Sequence, residues 1–179
     1  MTFANQLTLV RLVAVIPVMA ALYLQFPGNR AVATVVYVLA ILTDYLDGIL
    51  ARRSGKVTAF GKLMDSVADK ALISSMFFAL VAEGSMPAWM AAIMVVREFA
   101  VTGLRMVALE TGEVIAANRW GKAKMNSQSL AILILLLGYA QLGYWVMLVA
   151  TILTLLSGWS YLKDTPRILA ATAGQDRKP

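Results

Sequence analysis

Long apolar stretches alternate with short polar breaks along the whole chain. A membrane-crossing helix needs about 20 predominantly apolar residues. Six stretches meet that requirement: Leu7–Leu24, Ala31–Ala51, Gly61–Val81, Pro87–Leu109, Trp120–Tyr139 and Trp145–Leu162. The breaks between them fall at Pro27-Gly28-Asn29, Ser54-Gly55, Gly84-Ser85, Thr111-Gly112 and Gln141-Leu142-Gly143. These are turn-forming compositions. The pattern predicts an all-α integral membrane protein of six transmembrane helices, with residues 1–179 forming a single domain. No internal repeat is visible, and the one low-complexity segment is a short polar tail, Ala173–Pro179.

Charge then orients the spans. Arg52, Arg53, Lys56 and Lys62 surround the second connection, and Arg105, Arg119, Lys122 and Lys124 surround the fourth. Lys163, Arg167, Arg177 and Lys178 follow the last span. The first connection carries only Arg30, the third only Glu83, and the fifth no charge. Basic residues collect on the cytoplasmic side, so both termini and the even-numbered connections are expected there, in a multi-pass protein of the cell (inner) membrane. Trp89, Trp120, Trp145 and Trp159 fall near predicted span ends, where an interfacial aromatic belt would place them.

Composition sharpens this. Hydrophobic residues make up 60% of the chain, against about 45–50% in soluble domains, and mean hydropathy is +0.73. The net charge of +6 is read as cytoplasmic anchoring, with no nucleic-acid partner expected. Arg11 and Pro17 interrupt the first apolar run, and no cleavable signal is expected. The chain has neither cysteine nor histidine. Disulfides, thiol nucleophiles, zinc fingers and histidine bases are therefore excluded, and acid–base chemistry falls to carboxylates, lysine, tyrosine or water.

Four aspartates break the apolar pattern, in the order Asp44-x2-Asp47-Gly48-x2-Ala51-Arg52-x8-Gly61-x3-Asp65-x3-Asp69. A charge at the bilayer centre costs about 2.5–3.5 kcal/mol on insertion scales, so four of them require compensation. Asp44 and Asp47 are three residues apart, and Asp65 and Asp69 four. On helices each pair shares a face. Two such faces opposed would form a four-carboxylate cluster, the hard oxygen environment that Mg²⁺, Mn²⁺ or Ca²⁺ prefers. Gly48, Ala51 and Gly61 would leave room beside it for a bulky ligand, and Arg52 suits a phosphate oxygen. Close helix packing is the other use of such small residues.

Matched at every position, this eight-residue pattern resembles the signature of the CDP-alcohol phosphotransferases. The resemblance implies a membrane enzyme of six spans, usually dimeric, that transfers a substituted phosphate from a CDP-linked donor to an alcohol and releases CMP. It further implies two divalent metal ions, Mg²⁺ or Mn²⁺, held by Asp44, Asp47, Asp65 and Asp69, with Asp69 as the base. Asp47, Gly48, Ala51, Arg52 and Gly61 would contact the CDP part. The chemistry is coherent: paired divalent ions suit a pyrophosphate leaving group, and without histidine a carboxylate is the natural base for an acceptor hydroxyl.

The acceptor is read from the other helices. Arg97 and Glu98 interrupt the fourth apolar run, Arg105 follows two turns later, and Lys122 and Lys124 open the fifth span. Such a basic set suits an acceptor that itself carries a phosphate. Arg97-Glu98-Phe99 with Leu104-Arg105, then Gly121-Lys122-x-Lys124 with Gln128, resembles the bacterial phosphatidylglycerolphosphate synthase branch, as does Asn5-x2-Thr8-x2-Arg11. That branch implies CDP-diacylglycerol and sn-glycerol 3-phosphate as substrates, membrane lipids as surroundings and a homodimer. Arg97, Arg105, Lys122 and Lys124 would then hold the acceptor phosphate, with Asn5, Thr8 and Arg11 as site support. The alternatives are another CDP-alcohol phosphotransferase, making phosphatidylinositol phosphate, cardiolipin or phosphatidylserine, or, outside enzymes, a divalent-cation transporter or a membrane scaffold.

Overall fold

The computed structural model describes residues 3–24, 26–54, 59–110 and 119–175, with side chains at 13–24, 26–43, 67–108, 119–161 and 163. It contains six helices: α1 (Phe3–Tyr23), α2 (Asn29–Ser54), α3 (Ala59–Ala82), α4 (Ala88–Glu110), α5 (Arg119–Leu136) and α6 (Ala140–Gln175). There is no strand among the described residues. Each predicted span has its helix. The first five agree with the pattern within about a turn, although α5 ends three residues early, and α6 extends well beyond its span at both ends.

The difference lies at the fifth turn. Sequence places it at Gln141-Leu142-Gly143, whereas the chain reverses at Leu137-Gly138-Tyr139 and α6 begins at Ala140. Gly138 adopts φ +87°. The Tyr139 amide donates to the Ile134 carbonyl at 3.2 Å and the Gly138 amide to the Leu135 carbonyl at 3.0 Å. This is a Schellman cap, in which a left-handed glycine ends a helix. Gly84 (φ +73°) ends α3 in the same way, with Ser85 donating to Leu80 and Gly84 to Val81. Gly143 has another task. A Cβ placed on it would lie 2.5 Å from Leu135 Cδ2 and 3.3 Å from the Leu135 backbone nitrogen, so the α5–α6 hairpin is packed tightly there.

The chain divides into two compact units. The first comprises Met1–Pro87 with Ile132–Tyr144, and the second Ala88–Ala131 with Trp145–Pro179. In the first unit α1 packs on both α2 and α3. Its core is drawn from one face of each helix: Val18, Ala21 and Leu22; Ala33, Tyr37 and Ala40; Ala68, Leu72 and Met76. The alanines let the backbones approach, as small residues do in membrane helix bundles. Arg30, at the start of α2, reaches Glu83 Oε2 (3.3 Å) and Ser85 Oγ (3.4 Å) just beyond α3. A Cβ on Gly138 would sit 3.9 Å from Arg30 Nη1. The first, third and fifth connections therefore meet at one end of this unit.

The polarity of the second unit is inverted relative to a water-soluble domain. Gln128, Thr151, Thr154 and Ser157 are buried, while Trp89, Val96, Phe99 and Met106 on α4 and Trp145, Val149, Ile152, Leu156 and Trp159 on α6 are exposed. The α6 set recurs at three- and four-residue intervals and the α4 set at three- and seven-residue intervals, so each helix turns an apolar stripe outward. A soluble monomer rarely exposes such continuous apolar surface. Among the described residues, Ala140–Tyr161 is long and apolar enough to cross a membrane, and Val13–Tyr23 and Asn29–Thr43 are shorter apolar segments.

Two glycine substitutions test the packing. Gly143→Ala forces the Leu135 side chain and backbone aside and is expected to cost about 1–3 kcal/mol. Gly103→Ala meets nothing within 4 Å and should be neutral or stabilising, since alanine is the better helix former by about 1 kcal/mol. Thermal unfolding of both variants in detergent checks the contrast, and equal midpoints would contradict it.

Candidate active site

The aspartate motif is carried by two helices of the first unit. Asp44, Asp47, Gly48, Ala51 and Arg52 stand on α2, and Gly61, Asp65 and Asp69 on α3. Both helices are continuous through these positions, so the paired spacings are one helical turn each. The side chains of Asp44, Asp47, Gly48, Ala51, Arg52, Gly61 and Asp65 lie outside the described residues. Of the motif only Asp69 is described, and it is half-buried. No group of three or more metal-ligating side chains occurs among the described residues. By chemistry the motif suits a hard divalent cation: it supplies carboxylate oxygens and no sulfur or imidazole. Asn5, Thr8 and Arg11 stand on α1, their side chains likewise outside the described set.

The proposed acceptor residues belong to the second unit, where the geometry is explicit. Glu98 on α4 is the node. Its Oε1 accepts from Arg97 Nη1 at 3.1 Å and from Lys124 Nζ on α5. Arg97 Nη2 also donates to Ser157 Oγ on α6. The Arg97 and Lys124 side chains are only 12% and 6% exposed. Glu98 thus pairs with two cations from two helices.

A second layer lies nearer the C-terminal end of α4. Arg105 Nη2 donates to Tyr161 Oη at 2.6 Å. The guanidinium carbons of Arg105 and Arg97 lie 5.2 and 5.5 Å from the centre of the Tyr161 ring. Arg97 meets Ser157 and Arg105 meets Tyr161, so contacts rise together along α4 and α6, which run in the same direction. Gln128 on α5 joins the spine through Thr154 Oγ1 at 3.3 Å, both residues being buried. Lys122 is exposed, unlike Lys124. Arg97, Arg105 and Lys124 are thus brought into one network. Tyr161 and Ser157 belong to it as well and were not anticipated. The available signal was position along the helices: in two parallel helices, a tyrosine far along the sixth lies level with an arginine far along the fourth.

The weight of the Glu98 node can be measured. Glu98→Ala leaves Arg97 and Lys124 without their shared carboxylate in a buried setting. It is expected to destabilise the protein by about 3 kcal/mol or more. Glu83→Ala breaks an ion pair whose arginine is 44% exposed and should cost about 1 kcal/mol or less. Unfolding of the two variants side by side gives the ranking, and a reversed order would contradict it.

Comparison with known proteins adds an independent line. A family model described as CDP-alcohol phosphatidyltransferase matches residues 1–156. The chain is 38% identical to the CDP-diacylglycerol–glycerol-3-phosphate 3-phosphatidyltransferase of Bacillus subtilis (strain 168), covering 88% of this chain and 91% of the relative. Proteins of the same name are 33% identical in Treponema pallidum (strain Nichols), over 100% of this chain and 96% of the relative, and 32% identical in Rickettsia bellii (strain RML369-C), over 89% and 92%.

Proposed function

The chain belongs to the CDP-alcohol phosphatidyltransferase family, and from that premise we propose that it transfers the phosphatidyl group of CDP-diacylglycerol to sn-glycerol 3-phosphate. The products are phosphatidylglycerolphosphate and CMP. The observation that carries this reading is the complete eight-residue motif on α2 and α3, joined to relatives named for this reaction over most of their length.

Asp44, Asp47, Asp65 and Asp69 would hold two divalent cations, Mg²⁺ or Mn²⁺, whose charge neutralises the pyrophosphate and the departing CMP. The chain's own residues do the rest. Asp69 takes the proton from the acceptor hydroxyl as its oxygen bonds to the donor phosphorus, and the bond to CMP breaks. Asp47, Gly48, Ala51, Arg52 and Gly61 seat the CDP part, the small residues admitting it against the backbone. Arg97, Arg105 and Lys124 hold the acceptor phosphate, with Lys122 adding positive charge from an exposed position. Asn5, Thr8 and Arg11 support the site from α1.

We place the protein in the cell membrane as a homodimer of six-span chains, with both termini and the site at the cytoplasmic face. The apolar stripes on α4 and α6 support burial in lipid. The meeting of Arg30, Glu83 and Gly138 supports the alternation, because six alternating spans bring the first, third and fifth connections to one side.

The reading is tested by supplying purified enzyme with CDP-diacylglycerol and a panel of alcohols while following CMP. sn-Glycerol 3-phosphate should react, and free glycerol, serine and inositol phosphate should react poorly; equal turnover of serine would overturn the acceptor assignment. Activity should vanish in excess EDTA and return with Mg²⁺ or Mn²⁺. Asp69→Asn should lower turnover by about 10²–10⁴, with donor affinity retained better than in Asp44→Asn or Asp65→Asn. A near-normal rate in Asp69→Asn would move the base elsewhere.

A further inference from the structure

The cations of the second unit are not equivalent. Arg97 is committed on both terminal nitrogens, to Glu98 and to Ser157, and Lys124 is committed to Glu98. Arg105 differs. Among the described residues it has no carboxylate partner, while its Nε, like that of Arg97, is buried without a hydrogen bond. The contact that fixes it is with Tyr161. That residue is only 3% exposed, and its oxygen accepts from Arg105 Nη2. The ring also lies within cation–π distance of both guanidinium groups.

We infer that Tyr161 is a positioning residue for the acceptor: it holds Arg105 in place so that the remaining guanidinium N–H groups meet the phosphate of sn-glycerol 3-phosphate. This rests on the acceptor reading above. A guanidinium carries five N–H donors in a fixed fork, and Tyr161 occupies one of them. The others, the buried Nε among them, suit an anion with several oxygens. A long arginine side chain loses considerable rotamer freedom when it grips a ligand. Fixing it beforehand, by one hydrogen bond and a stack, removes that cost from binding. The ring has a second effect. Arg97 and Arg105 repel each other, and the negative face of an aromatic ring near both offsets that repulsion while the site is empty of anion. Glu98, one residue from Arg97, cannot do this for Arg105, because its charge is already shared by Arg97 and Lys124.

The test compares Tyr161→Phe, Tyr161→Leu and Arg105→Lys in the full-length enzyme. Equilibrium binding of sn-glycerol 3-phosphate, KM for each substrate, kcat and thermal unfolding are measured for all three. Tyr161→Phe keeps the ring and loses the oxygen. Acceptor Kd and KM should rise about tenfold, the scale of one hydrogen bond to a charged group, while donor KM and kcat move far less. Tyr161→Leu removes the stack too and should raise acceptor KM several-fold further. Arg105→Lys should raise it at least as much, since an ammonium cannot reproduce the fork. If Arg105→Lys weakens the acceptor and Tyr161→Phe does not, the positioning role is wrong and the proposed function stands. If neither does, the acceptor reading of these cations falls with it. A Tyr161→Phe protein that loses kcat, donor affinity and thermal stability together would show a merely structural tyrosine and overturn the inference.

Discussion

Taking a charge out of water costs several kcal/mol unless a counter-charge and hydrogen bonds replace the lost hydration. The second unit is organised around that constraint. The side chains of Arg97, on α4 with its apolar outer stripe, and of Lys124, on α5, are largely buried. They are tolerable there because Glu98 stands between them and because Ser157 takes a further guanidinium proton. Three helices contribute to this one arrangement, so it fixes their relative rotation as well as their charges. The buried pair Gln128–Thr154 extends the same logic to neutral groups, each supplying what the other would otherwise draw from water.

The inverted polarity follows from the same constraint seen from outside. Where lipid is the proposed surrounding, apolar stripes face outward at no cost and polar residues gather inside. The stripe on α6 begins at Trp145 and ends at Trp159, and amphipathic rings of this kind prefer membrane interfaces. Helices α4 and α5 would be poor spans by hydropathy, because each carries several charges within its length. The network explains how Arg97, Glu98, Arg105 and Lys124 can be carried: they bond to one another, to Ser157 and to Tyr161 instead of facing the apolar surroundings.

Much of this architecture was legible in the chain. The first four helices follow their apolar runs within about a turn, since Gly and Pro punctuate those ends. The fifth turn was misplaced because two glycines lie close together and sequence does not distinguish their tasks. Gly138 supplies the positive φ, and Gly143 supplies clearance for Leu135. The full length of α6 was missed because polar residues follow Leu162 without ending the helix. Arg30 and Glu83 were read only as sparse charges on connections, although two lone opposite charges on one predicted side are a pairing signal. For the aspartate motif, spacing alone placed the pairs one turn apart, and α2 and α3 are helical through them. The Tyr161 clamp needed three dimensions, because 56 residues separate it from Arg105.

The balance of charge bears on why the acceptor should itself be anionic. Two divalent cations would neutralise four carboxylates, leaving that cluster with little attraction for a further negative group. A phosphate monoester therefore needs its counter-charge from elsewhere in the chain. Helices α4 and α5 supply it in excess of their own needs. Even with Lys124 left out of the count, Arg97 and Arg105 outnumber the single carboxylate, Glu98, which among the described residues pairs with Arg97 and not with Arg105. For a neutral acceptor this surplus would be a standing cost, a buried cation with nothing to offset it. For sn-glycerol 3-phosphate, the proposed acceptor, the same surplus would serve binding, because the ligand would bring the missing charge. Arg97 and Arg105 both lie near one tyrosine ring, and an acceptor phosphate held there, as proposed, would offset their mutual repulsion.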